Sequence, residues 1–277
     1  MRLVGKNDLM ALPVSVQVCT LNEEVNIGPC LESIRANDPQ EILVIDGGSS
    51  DRTVDIATDA GARVLTPGRL GLGPSRQHGW HATDLPFVAF VDADDRLPPT
   101  WLQVMLEELR VGGYAALQSR LGVFEPRTWW ARSWDQYFAE SIRRAADVSM
   151  VGRPALFDRT ALASFEGELP SLDEDTHLSR WFEVQGLRQG VGSPKALRLV
   201  EETWPENAAK WRSYGKGYRG FVEAHPDRRA SILKHAFVTI PITRSARPVL
   251  RGHLTQPVFG ALMAWQILRG WSRAPRS

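Results

Sequence analysis

Asp92, Asp94 and Asp95 stand within four positions, directly after the apolar run FVAFV at 87–91. Like charges this close repel, so they need a counter-charge or a ligand. Hard divalent cations take oxygen ligands, and Mg²⁺ commonly binds one or two carboxylates together with substrate phosphates. A cation there would also favour a leaving group that gains negative charge. A plainer reading is an acidic turn that caps the helix after Pro98-Pro99. A second acidic pair, Glu174-Asp175, follows Asp173 at the start of a helical pattern over 173–188. Acidic residues suit the first turn of a helix, so that pair has a purely structural reading as well.

The elements that must position these residues follow from periodicity. VSVQVCTL (14–21) and EILVIDGG (41–48) are apolar, β-branched runs, and both read as buried strands. A helix over 25–36 places Ile27, Leu31 and Ile34 on one face. Cap residues open a helix within 49–61, and a third short strand lies at 62–67. FVAFVD is the next strand, followed by a helix from about Pro99 to Arg110. Strands that alternate with helices predict an α/β fold with a mostly parallel sheet covered on both faces. In such sheets a ligand sits beyond the carboxyl ends of the strands. Asn22-Glu23-Glu24, Asp46 and Asp92/Asp94/Asp95 all fall at those ends.

Further along, 114–124 reads as a strand and 127–147 as a helix with an aromatic face. Residues 149–165 read as a strand and then a helix. The glycine-rich stretch GRLGLGPSRQHG (68–79) matches neither Gly-x-Gly-x-x-Gly nor a Walker pattern, and reads as a flexible loop. Trp129, Trp130 and Trp134 suit either a ligand groove or core or membrane-facing packing.

Composition bounds the rest. The chain has 277 residues, 43% of them hydrophobic and 23% charged, as expected for a soluble protein with a sizeable core. Cys19 and Cys30 show no metal-ligand or disulfide-rich spacing, which fits a reducing compartment. MRLVGKNDLMALP is too polar for an N-terminal signal. The net charge of +1 hides an asymmetry: Lys210–Ser277 carries 13 Lys/Arg against 2 Asp/Glu. A basic tail on an acidic body suits an anionic partner. The expected division is therefore a body over 1–209 and a basic, aromatic extension over 210–277.

In that extension, Leu254 to Leu268 is uncharged but shorter than the roughly 20 residues that span a bilayer. Arginines flank it, and Trp265 and Trp271 suit a headgroup interface. With ILKHAFVTIPI (232–242) it would lie on a membrane. The alternative is a helix docked on the core or in a dimer interface. Lys210 to Arg219 interleaves cations with aromatics, yet no nucleic-acid-binding domain accompanies it, so no nucleic-acid partner is expected.

Five motifs in order carry a resemblance: VSVQVCTLNEE (14–24), ILVIDGGSSDRTVDIA (42–57), GPSRQHGW (73–80), FVDADDRLPPTWL (90–102) and DEDTHLSRW (173–181). Together they resemble the family 2 glycosyltransferases of GT-A fold. The resemblance implies a Rossmann-like, mostly parallel sheet flanked by helices, here with a C-terminal helical, basic and amphipathic extension. It implies that Thr20, Glu23, Asp46 and Arg76 line the nucleotide pocket. It places Asp92 toward the ribose and sugar and Asp94 on a divalent metal, Mg²⁺ or Mn²⁺, with Asp92 close by. Asp175 would be the catalytic base, with Glu174 as the alternative.

The implied reaction is an inverting, single-addition transfer. A sugar moves from a nucleotide-diphosphate donor, a UDP-sugar by default, to a hydroxyl of a lipid-linked or polysaccharide acceptor. Location at the cytoplasmic face of a membrane, by peripheral contact through 232–271, is the matching expectation. Departures are Arg76-Gln77 where Arg-Asn is usual, Asp173 where Gly is usual, and Asn207–Trp211 as a loose echo of the processive Gln-x-x-Arg-Trp. A sugar-phosphate nucleotidyltransferase would want a glycine-rich signature after the first strand. The chain has Thr20-Leu21-Asn22-Glu23-Glu24 there. A non-catalytic binding protein on a degenerate fold fits poorly with retention of Asp92, Asp94 and Asp175.

Overall fold

The computed structural model describes residues 11–236, 238–239 and 256–273. The first ten residues, and parts of the two expected membrane segments (237, 240–242 and 252–255), lie outside the described residues. Strands β1 (Leu12–Thr20), β2 (Pro39–Asp46), β3 (Arg63–Leu65), β4 (Phe87–Asp92), β5 (Asp95–Arg96), β6 (Ala116–Val123), β7 (Ala155–Asp158) and β8 (Gln189–Arg198) form one sheet. Its order is β3-β2-β1-β4-β7-β6-β8-β5. The half that holds β1 to β4 is parallel throughout. β7 runs antiparallel to both β4 and β6, while β6 and β8 pair in parallel.

Register brings the predicted chemistry together. Thr20 lies opposite Asp46, and Cys19 opposite Asp92, so β1, β2 and β4 end side by side. Val14, Val16 and Val18 are fully buried on β1, as are the intervening Ser15 and nearly so Gln17. That burial on both faces is what a parallel sheet between helix layers requires.

The helices are α1 (Ile27–Arg35), α2 (Thr53–Asp59), α3 (Leu72–His81), α4 (Trp101–Gly112), α5 (Trp129–Ser141), α6 (Arg159–Ala163), α7 (Glu174–Val184), α8 (Trp204–Ala224), α9 (Arg229–Lys234) and α10 (Gln256–Arg273). α1 buries Ile27, Leu31 and Ile34, the face that its spacing predicts.

Three sequence readings need correction. The stretch 68–79 is not a flexible loop, because all of it from Leu72 onward belongs to α3. The glycines serve close packing: a side chain on Gly73 would collide with the carbonyl of Pro170, and one on Gly79 would meet Gln17 Oε1 at 2.5 Å. The sequence reading also lacks β8, whose glycines and proline weaken the strand pattern. α5 stops at Ser141, well short of 147.

The expected boundary at 209/210 falls inside one continuous helix. α8 starts with a capping box, in which Thr203 and Glu206 satisfy each other's free backbone groups. It then runs unbroken to Ala224. α10 docks on α8 at backbone contact, since a side chain on Gly215 would strike Ile267 O and one on Gly270 would strike Arg212 O. Trp134 and Trp211 are nearly or fully buried and pack with Phe259 of α10 at ring separations of 5.3 Å. Trp134 therefore belongs to the core, and Trp129 and Trp130 are half-buried beside it.

Candidate active site

Asp46 ends β2 and is 1% exposed. Its Oδ1 accepts from Thr20 Oγ1 at 3.0 Å, and its Oδ2 accepts from the backbone N–H groups of Gly48 and Ser49 at 2.9 and 2.8 Å. Burial alone would raise its pKa. The hydrogen bonds from Ser49, Gly48 and Thr20 outweigh that and hold it below the usual carboxylate range. Asp46 thus builds the turn after β2, and Thr20 fixes its carboxylate. Glu23 is half-buried nearby and accepts from Asn26 Nδ2 at 2.9 Å, while its backbone N–H donates to Thr53 Oγ1 at 2.7 Å.

Arg76 is no surface arginine. It is 3% exposed, lies over the Phe90 ring, and donates to Asp92 Oδ1 at 2.6 Å. Its other terminal nitrogen stands 3.4 Å from Glu174 Oε1. The close packing of α3 delivers this side chain to the sheet end.

Three arginines answer the charge of Asp92. Besides Arg76, Arg153 Nε lies 3.2 Å and Arg198 Nη2 2.9 Å from Asp92 Oδ2. Burial pushes Asp92 up, but Arg153, Arg198 and Arg76 hold its pKa far below the usual range. Asp95 is fully buried. Arg198 donates to its Oδ1 at 2.7 Å and its Oδ2 at 2.8 Å, and the Asp92 N–H donates to Oδ2 at 3.1 Å.

Asp94 differs. Its Oδ1 is buried without a hydrogen-bond partner, and Arg198 Nε stays 3.8 Å away. Burial, together with the charges of Asp95 and Asp92, pushes its pKa up to about 7 despite Arg198 and Lys210. One oxygen from each of Asp92, Asp94 and Asp95 lies within 4.8 Å of the others. An orphaned carboxylate oxygen within such a cluster is what a hard divalent cation would satisfy. Asp94 therefore fits a metal well. Asp92 and Asp95 contribute to the same field but are already engaged by guanidinium groups.

The second acidic pair joins the same network. Arg153 bonds Glu174 and stands 3.4 Å from Asp175 Oδ2. Glu174 is 3% exposed and held between Arg76 and Arg153. The Asp175 side chain keeps 26% of its surface in solvent. Its Oδ1 accepts from the Thr176 N–H at 2.9 Å. The structure thus joins Arg76, Asp92, Glu174 and Asp175 in one ion network, with Asp94 at its edge. Thr20 and Asp46 form a separate hydrogen-bonded pair at the ends of β1 and β2, whereas Glu23 bonds Asn26 and Thr53 instead.

Sequence reading names Asp95 with the acidic cluster but gives it no role, and it misses Arg153 and Arg198. Arg153 sits in a loop with no periodic signal, and Arg198 closes the strand that was not recognised.

The sequence model of Glycosyl transferase family 2 matches residues 15–163, more than half of the chain. A dolichyl-phosphate hexose transferase of Haloferax volcanii is 36% identical over 100 residues, which is 36% of this chain and 44% of that one. The aligned stretches cover 34%, 44% and 40% of the length of three curated relatives, so each match spans less than half of them. In fold, the chain is similar to glucosyl-3-phosphoglycerate synthase from Mycobacterium tuberculosis, solved with Mn²⁺, uridine-diphosphate and glucosyl-3-phosphoglycerate. The TM-score is 0.58 at 20% identity, over 76% of this chain and 78% of that one. It is also similar to S. aureus TarS 1–349 in complex with UDP-GlcNAc, with a TM-score of 0.60 at 16% identity, over 93% and 89% of the two chains. These likenesses establish the GT-A type of sheet, with helices on its faces and at the C-terminus. With the ordered motifs and the family match, they make this chain a member of glycosyl transferase family 2.

Proposed function

We propose that this protein moves a sugar from a nucleotide-diphosphate donor, a UDP-sugar by default, to a hydroxyl of a lipid-linked or polysaccharide acceptor, with inversion. One observation carries the reading: the guanidinium of Arg153 touches both Asp92 and Asp175. The carboxylate cluster suited to a donor diphosphate and the separate carboxylate suited to a base therefore belong to one site.

Asp175 is the proposed base, because it is the more exposed of the pair, whereas Glu174 is closed in by two arginines. It takes the proton of the acceptor hydroxyl, and that oxygen attacks the anomeric carbon from the face opposite the diphosphate. Both electrons of the bond to the diphosphate leave with it, and no sugar-enzyme bond is needed. Thr20, Glu23 and Asp46 are the proposed nucleotide contacts, with Asp46 presented by its turn. Arg76 sets the position of Asp92 and Glu174. A Mg²⁺ or Mn²⁺ on Asp94, beside Asp92, would stabilise the charge that grows on the leaving diphosphate.

We assign 1–209 to catalysis and 210–277 to an acceptor- or membrane-facing extension that shares α8 with the body. Val258, Trp265 and Leu268 of α10 are exposed, and Arg269 lies 4.9 Å over Trp265. This surface suits peripheral contact with a membrane, at its cytoplasmic face in our reading, and so supports a lipid-linked acceptor. Among the described residues, no helix is long and apolar enough to cross a membrane.

Calorimetric binding of UDP, GDP and dTDP, with Mn²⁺ and with chelator, tests the reading. Binding of one nucleotide that depends on the metal is expected. Absence of binding to all three by folded protein would leave a non-catalytic scaffold as the better account.

A further inference from the structure

His177 of α7 and His225, the residue after α8, bring two imidazoles together from distant parts of the chain. His177 Nδ1 and His225 Nε2 lie 3.4 Å apart, and the ring centres lie 5.1 Å apart. An N–H hydrogen bond in a protein usually spans about 2.7–3.2 Å, so this separation is long for one. Tetrahedral zinc holds each imidazole nitrogen at about 2.0–2.1 Å. Two nitrogens on one such ion are then about 3.4 Å apart, and their ring centres about 5.2 Å. Both separations in this pair match that geometry. The rings stand as two ligands of a single ion would.

The surroundings hold the pair in place and uncharged. The Phe221 ring, 3% exposed, packs against both imidazoles, at 5.0 Å from His177 and 4.6 Å from His225. Burial, and then the facing His225, pushes the pKa of His177 down to about 4. Burial and Arg180 lower that of His225 as well. Only a neutral imidazole offers its lone pair to a metal. The charged side chains that follow each histidine pair with one another. Arg180 meets Glu183 and Asp227, each at 2.9 Å, and Arg228 bonds Glu183. Their charges cancel at the rim. Both histidines are half-buried, so water reaches them. Among the described residues, no third His, Cys, Asp or Glu groups with the pair within 4.8 Å.

We propose that His177 and His225 form a second metal site, which takes a divalent transition-metal ion of the zinc class, with water in the remaining positions. Imidazole suits such ions, whereas carboxylates such as that of Asp94 suit Mg²⁺ or Mn²⁺. The two sites therefore select different metals. His177 lies two residues after Asp175 on the same helix. The ion thus fastens the first turn of α7 to the end of α8. The site goes beyond the proposed reaction and does not depend on it.

Zinc binding to the full chain, stripped of metal, tests the site. NMR of the imidazole nitrogens in the wild type needs no substitution. Zn²⁺ at a one-to-one ratio should shift His177 Nδ1 and His225 Nε2, and Mg²⁺ should shift neither. Calorimetry is done on Asp94→Asn, which removes the carboxylate site. That variant should bind one Zn²⁺ at the histidine pair. Adding His225→Gln, or His177→Gln, should weaken this binding about tenfold or more, since one of two protein ligands is gone. Zn²⁺ should raise the melting temperature of Asp94→Asn but not that of either double variant. Circular dichroism checks that each double variant is folded; where one is not, the wild-type NMR decides. Zn²⁺ shifts confined to other imidazoles, or no shift at this pair, would overturn the site. Equal Zn²⁺ affinity with and without His225 in folded protein would overturn it too.

Discussion

Arg198 grips both oxygens of Asp95, at 2.7 and 2.8 Å, across 103 residues of chain. It also reaches Asp92 at 2.9 Å, so one side chain from the end of β8 neutralises the end of β4. Removing it would leave a fully buried carboxylate at Asp95 without its partner. Breaking such a pair from one side costs about 3–5 kcal/mol. Arg198→Ala should lower unfolding free energy by about that amount, read from urea denaturation. Arg198→Lys should recover only part, since an ammonium cannot match both oxygens. A loss no larger than that of a typical surface substitution, about 0.5 kcal/mol, would contradict this account.

Asp94 should couple metal binding to protons. Its carboxyl is pushed up to about 7 by burial and by Asp95 and Asp92, so below that pH it carries a proton. A divalent cation must displace the proton, and affinity should fall about tenfold per pH unit below about 7. Above that pH the affinity should level off. Titration of Mn²⁺ in two buffers of different ionisation heat reads the proton released: about one at pH 6 and few at pH 8. The sign for folding follows from the same shift. The folded protein holds this proton up to about 7, whereas the unfolded chain loses it near 3.8. This group's contribution is therefore fully present below pH 3.8 and is lost as pH rises through about 7 in metal-free protein. Asp94→Asn should abolish the metal dependence and flatten that part of the stability profile.

The arrangement of β1, β2 and β4 was legible because buried parallel strands are continuous apolar runs and their ends are marked by polar residues. Asp46, Asp92 and Asp94 were legible for the same reason. α3 was not, because its glycines look like loop chemistry until the neighbours that need the space, Pro170 and Gln17, are known. Arg198 was hidden behind Gly190, Gly192 and Pro194, which blur the pattern of β8. The counter-charge for the aspartates was the larger surprise. Sequence spacing leaves a counter-charge, a metal or an acidic helix cap open, whereas Arg76, Arg153 and Arg198 arrive from three distant parts of the chain. Contacts of such long range leave no local signal.

The two acidic sites should separate by mutation. Asp175→Asn keeps the shape of the site and its hydrogen bond from the Thr176 N–H, but removes the base. Transfer should fall by about 10²–10⁴-fold, the usual worth of a positioned base. Nucleotide binding in the presence of Mn²⁺ should stay near the wild-type value. Asp94→Asn should do the reverse to binding, abolishing its metal dependence. Equal loss of nucleotide binding in both variants would sink this division of roles.

The docking of α10 on α8 gives a test at the other end of the molecule. Gly215 and Gly270 bring two helix backbones together, and a methyl at Gly215 would also lie 2.8 Å from Trp271 N. Backbone cannot yield as a flexible side chain does, so Gly215→Ala must push the helices apart. Overpacking of this kind costs about 1–3 kcal/mol. The shift would uncover Phe259, Met263 and Ile267, which α10 buries in the core. Gly215→Ala should therefore speed hydrogen exchange throughout α10 while leaving β1, β2 and β4 protected. Gly220 lies on the same helix in open space and serves as the control. An alanine there should leave exchange in α10 unchanged, and its helix propensity should favour α8 slightly. If both variants behave alike, the close approach at Gly215 is not what holds α10 in place.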